Sequence, residues 1–346
     1  MAKKNPVTLN DLAQHVGLAK STVAFVMSGK APDMGIAQKT VEKVEAAAKK
    51  LGYERNYWAT SLARRSSDIV TVLLGGLSGD WGDQVMYSIT QTLTANSFFP
   101  FVAADWRDPK LFDKAVSATI QRRDAGMICH TATGDAEQFS RIIRNGIPLV
   151  FLGDIPCALS NVPELNSVVW DDEQAVKTAI RHLVDTGRRN IAFVGADHGV
   201  DADQHRLAAY EEALEEAGLK VRKDWQFWAK LAGSPLSGIK EALEFLFAPG
   251  KEHPDALFAL NHVVSRDIRL VAAEMGIRMP EDTALIGLGD FPANQVAGIS
   301  TIREPIHELG EAAAEMLLEL IKDPGKKPLH RKISCNELLA RKTTAV

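Results

Sequence analysis

Cysteine is scarce in this 346-residue chain: Cys129, Cys157 and Cys335 are far apart, and each lies in or beside an apolar run. An odd number at such separation argues against a disulfide framework or a thiolate metal site and leaves reduced core residues. Long hydrophobic runs are also missing. Nothing approaches the roughly 20 apolar residues that cross a bilayer, and the charged start Met1-Ala2-Lys3-Lys4-Asn5-Pro6 leads into no apolar signal segment. The expectation is a cytoplasmic protein with no membrane partner. Aromatics are only 7% of residues, yet 46% are hydrophobic, enough to fill two or three cores in a chain too long for one ordinary domain.

Catalytic patterns are wanting as well. Gly75-Gly76-Leu77-Ser78-Gly79 has neither dinucleotide-loop spacing nor a P-loop Lys-Ser/Thr. Asp197, His198, Asp201, Asp203 and His205 read as a solvated polar loop rather than a metal site. No Ser/His/Asp or Cys/His set has supporting context. The chain is therefore expected to be no enzyme, with no cofactor and no metal.

Charge is present but uneven. The net of -4 divides into +6 for residues 1–66, from eleven Lys/Arg and five Asp/Glu, and -10 for the remainder, from 29 and 39. A basic module on an acidic body suits selective attraction to phosphates, because the body repels nucleic acid while the head binds it.

The first 52 residues read as three short helices. Thr8 precedes Leu9, Leu12, Ala13 and Val16 at helical spacing, with Asp11 three residues on as in a variant capping box, and Gly17 ends the helix. A second helix runs from Lys20 through Val23, Val26 and Met27 towards Gly29, and a third spans 37–51, with Gly52 after it. Two helices joined by a short turn containing Gly, with a third completing the core, form a helix-turn-helix. Residues 57–66 read as a linker able to fold conditionally. From 69 onward apolar strands alternate with amphipathic helices: 69–75, 100–105, 126–131, 148–153, 167–171, 190–195, 256–261, 284–288, and a late pair near 299–303 and 333–338. Such a pattern predicts parallel sheets covered on both faces, and its length predicts two doubly wound lobes with a cleft between them.

Residues 7–29, including Leu12-Ala13, Val16-Gly17, Ser21-Thr22-Val23 and Ser28-Gly29, resemble the headpiece of the lactose repressor and galactose repressor (LacI/GalR) family. The resemblance continues through 40–44, Leu51-Gly52-Tyr53, the hinge 56–64, 187–195, 206–210, 256–261 and Pro280-Glu281-Asp282. It implies an N-terminal all-α helix-turn-helix headpiece (1–56), a hinge helix or linker (57–67) and an α/β sensing domain with two doubly wound parallel-sheet lobes of the periplasmic-binding-protein-like type I (68–346). It also implies a major-groove helix with Lys20, Ser21 and Phe25 reading bases, and with Thr8, Thr22 and Ser28 on phosphates. Tyr53 and Asn56 join that DNA-binding set. In the family the hinge folds on operator DNA and wedges a leucine into the minor groove; Leu62 matches it, flanked by Ala59 and Ala63. This chain departs from the family pattern in having Phe25 for the usual Arg or Tyr, Arg55 for proline, a bulky Trp58, and a loop between Gly29 and Thr40 about three residues longer than the common form.

For the sensing domain the resemblance assigns Arg206 as the effector-binding arginine and Asn261 as a hydrogen-bonding cleft residue. Asp80, Trp81, His130, Asp171 and Asp290 lie at predicted strand ends or in the loops after strands, where ligands of open α/β sheets bind. Gly153 and Gly289 stand where many sugar-responsive members carry Asp, and Gly233 near a common aromatic platform, so the expected ligand is larger or differently charged than a neutral monosaccharide. The implied function is a transcriptional repressor whose affinity for pseudo-palindromic double-stranded operator DNA is controlled by a small-molecule effector. With no added apolar heptads after Leu338-Leu339-Ala340-Arg341, a homodimer is expected rather than a tetramer. The alternative is a solute-binding protein of the same bilobed fold without a DNA role; the basic head and the missing signal segment oppose it.

Overall fold

The computed structural model describes residues 7–55, 67–76, 79–130, 133–153, 155, 159, 162, 165–196, 201–229, 235–326, 328–334 and 337–345. The chain divides into two compact units, Met1–Ser67 and Asp68–Val346.

In the smaller unit α1 (Leu9–Val16), α2 (Lys20–Met27) and α3 (Gln38–Leu51) surround a core of Leu12, Val16, Val23, Val26, Val44 and Ala48. Local chemistry sets their ends. Thr8 accepts the Asp11 N–H while the Asp11 carboxylate accepts the Thr8 N–H, a complete capping box. Gly17 and Gly52 close α1 and α3 with φ of 66° and 67°, a left-handed turn that side chains resist. Lys43 Nζ donates to the Val16 carbonyl at 2.8 Å, tying α3 to the open end of α1.

The larger unit holds two six-stranded sheets. The first lobe contains β1 (Ile69–Leu74), β2 (Phe99–Ala104), β3 (Gly126–His130), β4 (Leu149–Leu152), β5 (Asn166–Trp170) and β11 (His330–Ile333), in the order β11-β5-β4-β3-β1-β2. The second contains β6 (Ile191–Ala196), β7 (Gln226–Ala229), β8 (Ala256–Ala259), β9 (Ala284–Leu288), β10 (Ser300–Ile302) and β12 (Leu338–Leu339), in the order β12-β10-β9-β8-β6-β7. All pairings are parallel except that of β12 with β10. The central strands β3, β4, β6, β8 and β9 are apolar along their length because helices cover both faces. Fully buried Phe193, Tyr210 and Phe258 cluster in the second lobe with ring centroids 5.5 to 6.0 Å apart. Each contributes about 1.5–3 kcal/mol by leaving water.

Two strand expectations are corrected. The late run 333–338 is not one strand; β11 ends at Ile333 in the first sheet and β12 begins at Leu338 in the second, so the chain passes between lobes there. The edge strand β7 was not expected, because its four residues Gln226–Ala229 are too few to show a period and three of them are only half-buried.

The helices complete the lobes: α4 (Asp80–Ala95), α5 (Pro109–Arg122), α6 (Ala136–Arg144) and α12 (Ile306–Lys322) belong to the first, and α7 (Asp172–Asp185), α8 (Asp201–Glu216), α9 (Pro235–Leu246), α10 (His262–Glu274) and α11 (Pro292–Val296) to the second. The chain therefore crosses between lobes three times: from β5 to α7, from β10 to α12, and from β11 to β12. The crossings run side by side, with Asp171 N–H donating to the Ile333 carbonyl at 3.1 Å and Arg303 N–H to the Glu337 carbonyl at 2.9 Å. Strand ends from both sheets converge on these crossings.

Candidate functional site

The first candidate surface is the outer face of α2. Val23 and Val26 turn inward, which leaves Lys20 and Ser21 exposed, with Thr22, Phe25 and Ser28 half-buried. Lys20, Ser21, Phe25 and Ser28 share one helical face. Ala19 at the N-cap makes no side-chain bond, so the first N–H groups of α2 stay open to an anion. Other residues of the expected set are engaged internally: the Thr8 hydroxyl donates to Asp11 Oδ2 at 2.7 Å, Ser28 Oγ donates to the Phe25 carbonyl at 3.1 Å, and Tyr53 packs on the three-helix core. Asn56, Ala59 and Leu62 lie outside the described residues.

The second candidate lies at the crossings. Asp171 caps α7, accepting the Gln174 N–H at 3.4 Å, and pairs with Lys332 Nζ at 2.8 Å and Ser334 Oγ at 3.3 Å. Burial works to raise its carboxyl, but Lys332 and the cap hold it below the usual value. The next residue, Asp172, takes Arg206 from α8 in a fork, Nε to Oδ2 at 2.9 Å and Nη2 to Oδ1 at 3.3 Å. Arg206 Nη1 donates to the Leu260 carbonyl at 3.3 Å, and its guanidinium lies 5.6 Å from the Trp170 ring centroid. Burial opposes the charge on Arg206, yet Asp172 and then Glu304 raise its pKa above the ordinary range.

Glu304 stands on the second crossing and accepts Trp81 Nε1–H at 2.7 Å. Burial pushes its carboxyl up to about 7, against the pull of Arg206 and the Trp81 bond. Trp81 in turn stacks on His130, with centroids 4.3 Å apart and planes tilted by 30°. Across the cleft Asn261 caps α10 by accepting the Val264 N–H at 3.0 Å, and His262 packs on Phe291 at 3.8 Å.

Asp290 is held by Arg341 Nη1 at 2.7 Å and by Gln295 Nε2 at 2.9 Å. Asp80 opens α4 in its first turn. Gly153 and Gly289 have φ of 105° and 89°, so the backbone itself excludes aspartate there without strain. Gly233, Asp197 and His198 lie outside the described residues, and among those described no cluster of His, Cys, Asp and Glu is arranged for a metal. Cys129 is buried in the core of the first lobe; Cys157 and Cys335 lie outside the described set.

The structure therefore brings Trp81, His130, Asp171 and Arg206 into one neighbourhood and adds Asp172, Glu304 and His262, which sequence reasoning missed. Asp172 is one residue beyond an expected strand end and His262 one beyond Asn261, so that signal was within reach. Glu304 followed an expected strand but had no motif to mark it.

His130 and His262 yield a pH prediction. Burial pushes both down to about 4, and nearby Arg266 and Arg206 act in the same direction on His262. Each is neutral in the folded chain near pH 6, whereas an unfolded chain takes up a proton on each below about pH 6.5. Stability is then lost as pH falls from 6.5 to 4, by about 1–3 kcal/mol per histidine. Urea unfolding at pH 7 and pH 5 should show His130→Asn and His262→Asn losing less on acidification than the parent chain.

Two family models match the chain: "Bacterial regulatory proteins, lacI family" over residues 8–56 and "Periplasmic binding protein-like domain" over residues 180–344. The chain joins a lacI-family helix-turn-helix domain to a periplasmic-binding-protein-like domain. Among its relatives, the HTH-type transcriptional regulator GntR of Pseudomonas aeruginosa is 27% identical over 344 residues, covering 97% of this chain and 95% of that one. The HTH-type transcriptional regulator DegA of Bacillus subtilis is 25% identical over 308 residues, 88% of each chain. Among solved structures, that of the lac repressor dimer bound to operator and the anti-inducer ONPF matches with a TM-score of 0.84 at 21% identity, over 99% of this chain and 100% of that one. The CelR–cellobiose complex matches at 0.70 and 21%, over 97% and 99%. The helix-turn-helix head and the bilobed α/β body are thus both present in one chain.

Proposed function

We propose that this chain is a sequence-specific DNA-binding transcriptional regulator, a cytoplasmic repressor whose affinity for operator DNA is set by a small-molecule effector between the two lobes. The observation that carries the reading is α2. Its apolar residues anchor it in the headpiece while Lys20, Ser21 and an uncapped N-terminus face outward, in a segment of net charge +6. A lysine and a serine on such a face supply groove and phosphate contacts, and open N–H groups accept a phosphate oxygen. Phe25 offers apolar contact to a thymine methyl rather than a paired hydrogen bond to guanine. Named relatives support this reading, since they are regulators and repressors rather than enzymes. Among the described residues no helix is long and apolar enough to cross a membrane.

A homodimer follows from the first lobe. Its edge strand β2 carries exposed Phe99, Phe101 and Val102, and the same lobe exposes Tyr87 and Trp106. An uncovered apolar edge strand is a liability that a second copy removes. Two-fold pairing places two headpieces over an inverted repeat.

One selection tests DNA binding and pairing together. Full-length protein is used to enrich duplexes from a random pool, and the bound sequences are read. Inverted repeats of one half-site are expected; lone half-sites would overturn the dimer, and an unenriched pool would overturn sequence-specific recognition. Effector control requires reciprocity, so a ligand that lowers operator affinity must itself be bound less tightly by the operator complex, by the same factor.

A further inference from the structure

Arg206 does not face the cleft as an isolated cation. Asp172 takes its Nε and Nη2, and Leu260 its Nη1. Glu304 stands close enough to act electrostatically on both Arg206 and Asp172, and Asp203, three residues before Arg206 on α8, acts on the same guanidinium. One guanidinium thus meets two carboxylates, Asp172 in direct contact and Glu304 through space. Among the described residues the neighbouring cations have carboxylates of their own: Lys332 pairs with Asp171, Arg341 with Asp290 and Arg266 with Asp267. The groups facing Glu304 come from four elements: Trp81 from α4, with His130 of β3 stacked behind it, Asp172 from α7, and Arg206 from α8. His262 of α10 faces Arg206, and both histidines are neutral near pH 7.

Among the described residues Trp81 Nε1 is the sole hydrogen-bond donor to Glu304. A carboxylate has room for about four such bonds. A ligand carrying its own negative charge enters a field of the same sign, whereas a donor-rich cation completes the shell of Glu304 and balances the surplus. The position of Glu304 on a crossing, with Trp81 from one lobe and Arg206 from the other, sets that preference where both lobes meet the ligand.

Resting on the effector cleft proposed above, we infer that Glu304 selects the effector by charge: the cleft takes a compound bearing a protonated amine, held by Glu304, and rejects the corresponding carboxylate or phosphate. A carboxyl near pKa 7 is part-protonated at neutral pH. An ammonium that binds there therefore displaces a proton from Glu304 to the buffer.

The test is a thermal-shift screen of the full-length protein against matched compounds, each frame present as amine, neutral and acid, for example glucosamine, glucose, gluconate and glucose 6-phosphate. Binders are then measured by calorimetry at pH 7 in buffers of different ionisation enthalpy. The expected result is that amines dominate the binders and release a fraction of a proton on binding. Glu304→Gln weakens them at least tenfold and abolishes the release, and Glu304→Asp, which keeps the charge, restores part of both. Tighter binding of acids, or unchanged affinity and proton release in Glu304→Gln, overturns the inference while leaving the cleft as an effector site. If no compound of any charge shifts the unfolding temperature, the effector reading fails and this inference with it.

Discussion

Protein cut to residues 68–346 has no measurable affinity for duplex DNA, while the full chain binds with an affinity that falls by about 10³ to 10⁵ between 50 and 200 mM salt. The contrast follows from charge and from fold. The body left by the cut is strongly acidic, net -10 beyond residue 66, and repels phosphates. The removed head carries the basic surplus and the one helix that presents Lys20 and Ser21 over a buried Val23 and Val26. Because the larger unit has cores of its own, around Phe193, Phe258 and Leu317 and around Phe112, Phe139 and Phe151, the shortened chain still unfolds cooperatively. Fluorescence anisotropy with a selected duplex over a salt series measures both. Lys20→Ala separates reading from attraction: loss of affinity that is larger for the selected duplex than for random DNA assigns Lys20 to base recognition, and equal loss assigns it to phosphate. Undiminished binding by 68–346 would remove the DNA function from the headpiece altogether.

Thr343→Val destabilises the second lobe by about 2–4 kcal/mol, although it changes neither volume nor shape appreciably. The Thr343 hydroxyl accepts the Ser300 N–H at 2.9 Å and donates to the Leu285 carbonyl at 2.7 Å, joining β10 to β9 from a position that is 1% exposed. Its backbone is used as well, with the Leu285 N–H donating to its carbonyl and its own N–H donating to Gly298. Valine leaves a buried donor and a buried acceptor without the hydroxyl, and neither can reach water. Thr344 adds bonds to Ser300 Oγ at 2.7 Å and to His182 Nε2 at 2.8 Å, so the tail is tied to three elements of the lobe. Urea denaturation followed by tryptophan fluorescence should show an early transition in Thr343→Val and a near-parental one in Thr343→Ser, which keeps the hydroxyl. A valine variant within 0.5 kcal/mol of the parent, the span of an ordinary surface substitution, would show that this network contributes nothing.

The headpiece was legible almost to the residue because its signals are local. Thr8 and Asp11 cap within one turn, Gly17 and Gly52 take the left-handed conformation that ends a helix, and Val23 and Val26 mark the inner face of α2. Most strands were legible within two residues for a related reason: a strand buried on both faces is a continuous apolar run, as in 126–130 and 284–288. The short edge strand β7 and the split of 333–338 between sheets left no such mark. A half-buried four-residue edge has no period, and the choice of sheet for β11 and β12 depends on neighbours distant in the chain.

The site divides in the same way. The placement of His130 and Asp171 at strand ends was legible in advance, since the ends of parallel strands are marked by where apolar runs stop. The electrical character of the cleft was not. It depends on Arg206 meeting Asp172, 34 residues earlier, and on Trp81 meeting Glu304, 223 residues later. The order of residues by itself determined a basic three-helix head, two parallel-sheet lobes and the strand ends that line a cleft, because capping, periodicity and apolar runs act over a few residues. Only the tertiary structure decided that Arg206 is paired with Asp172, that Trp81 meets Glu304, and that Thr343 locks a lobe. Coulomb and hydrogen-bond energies depend on distances through space, which separation along the chain does not encode.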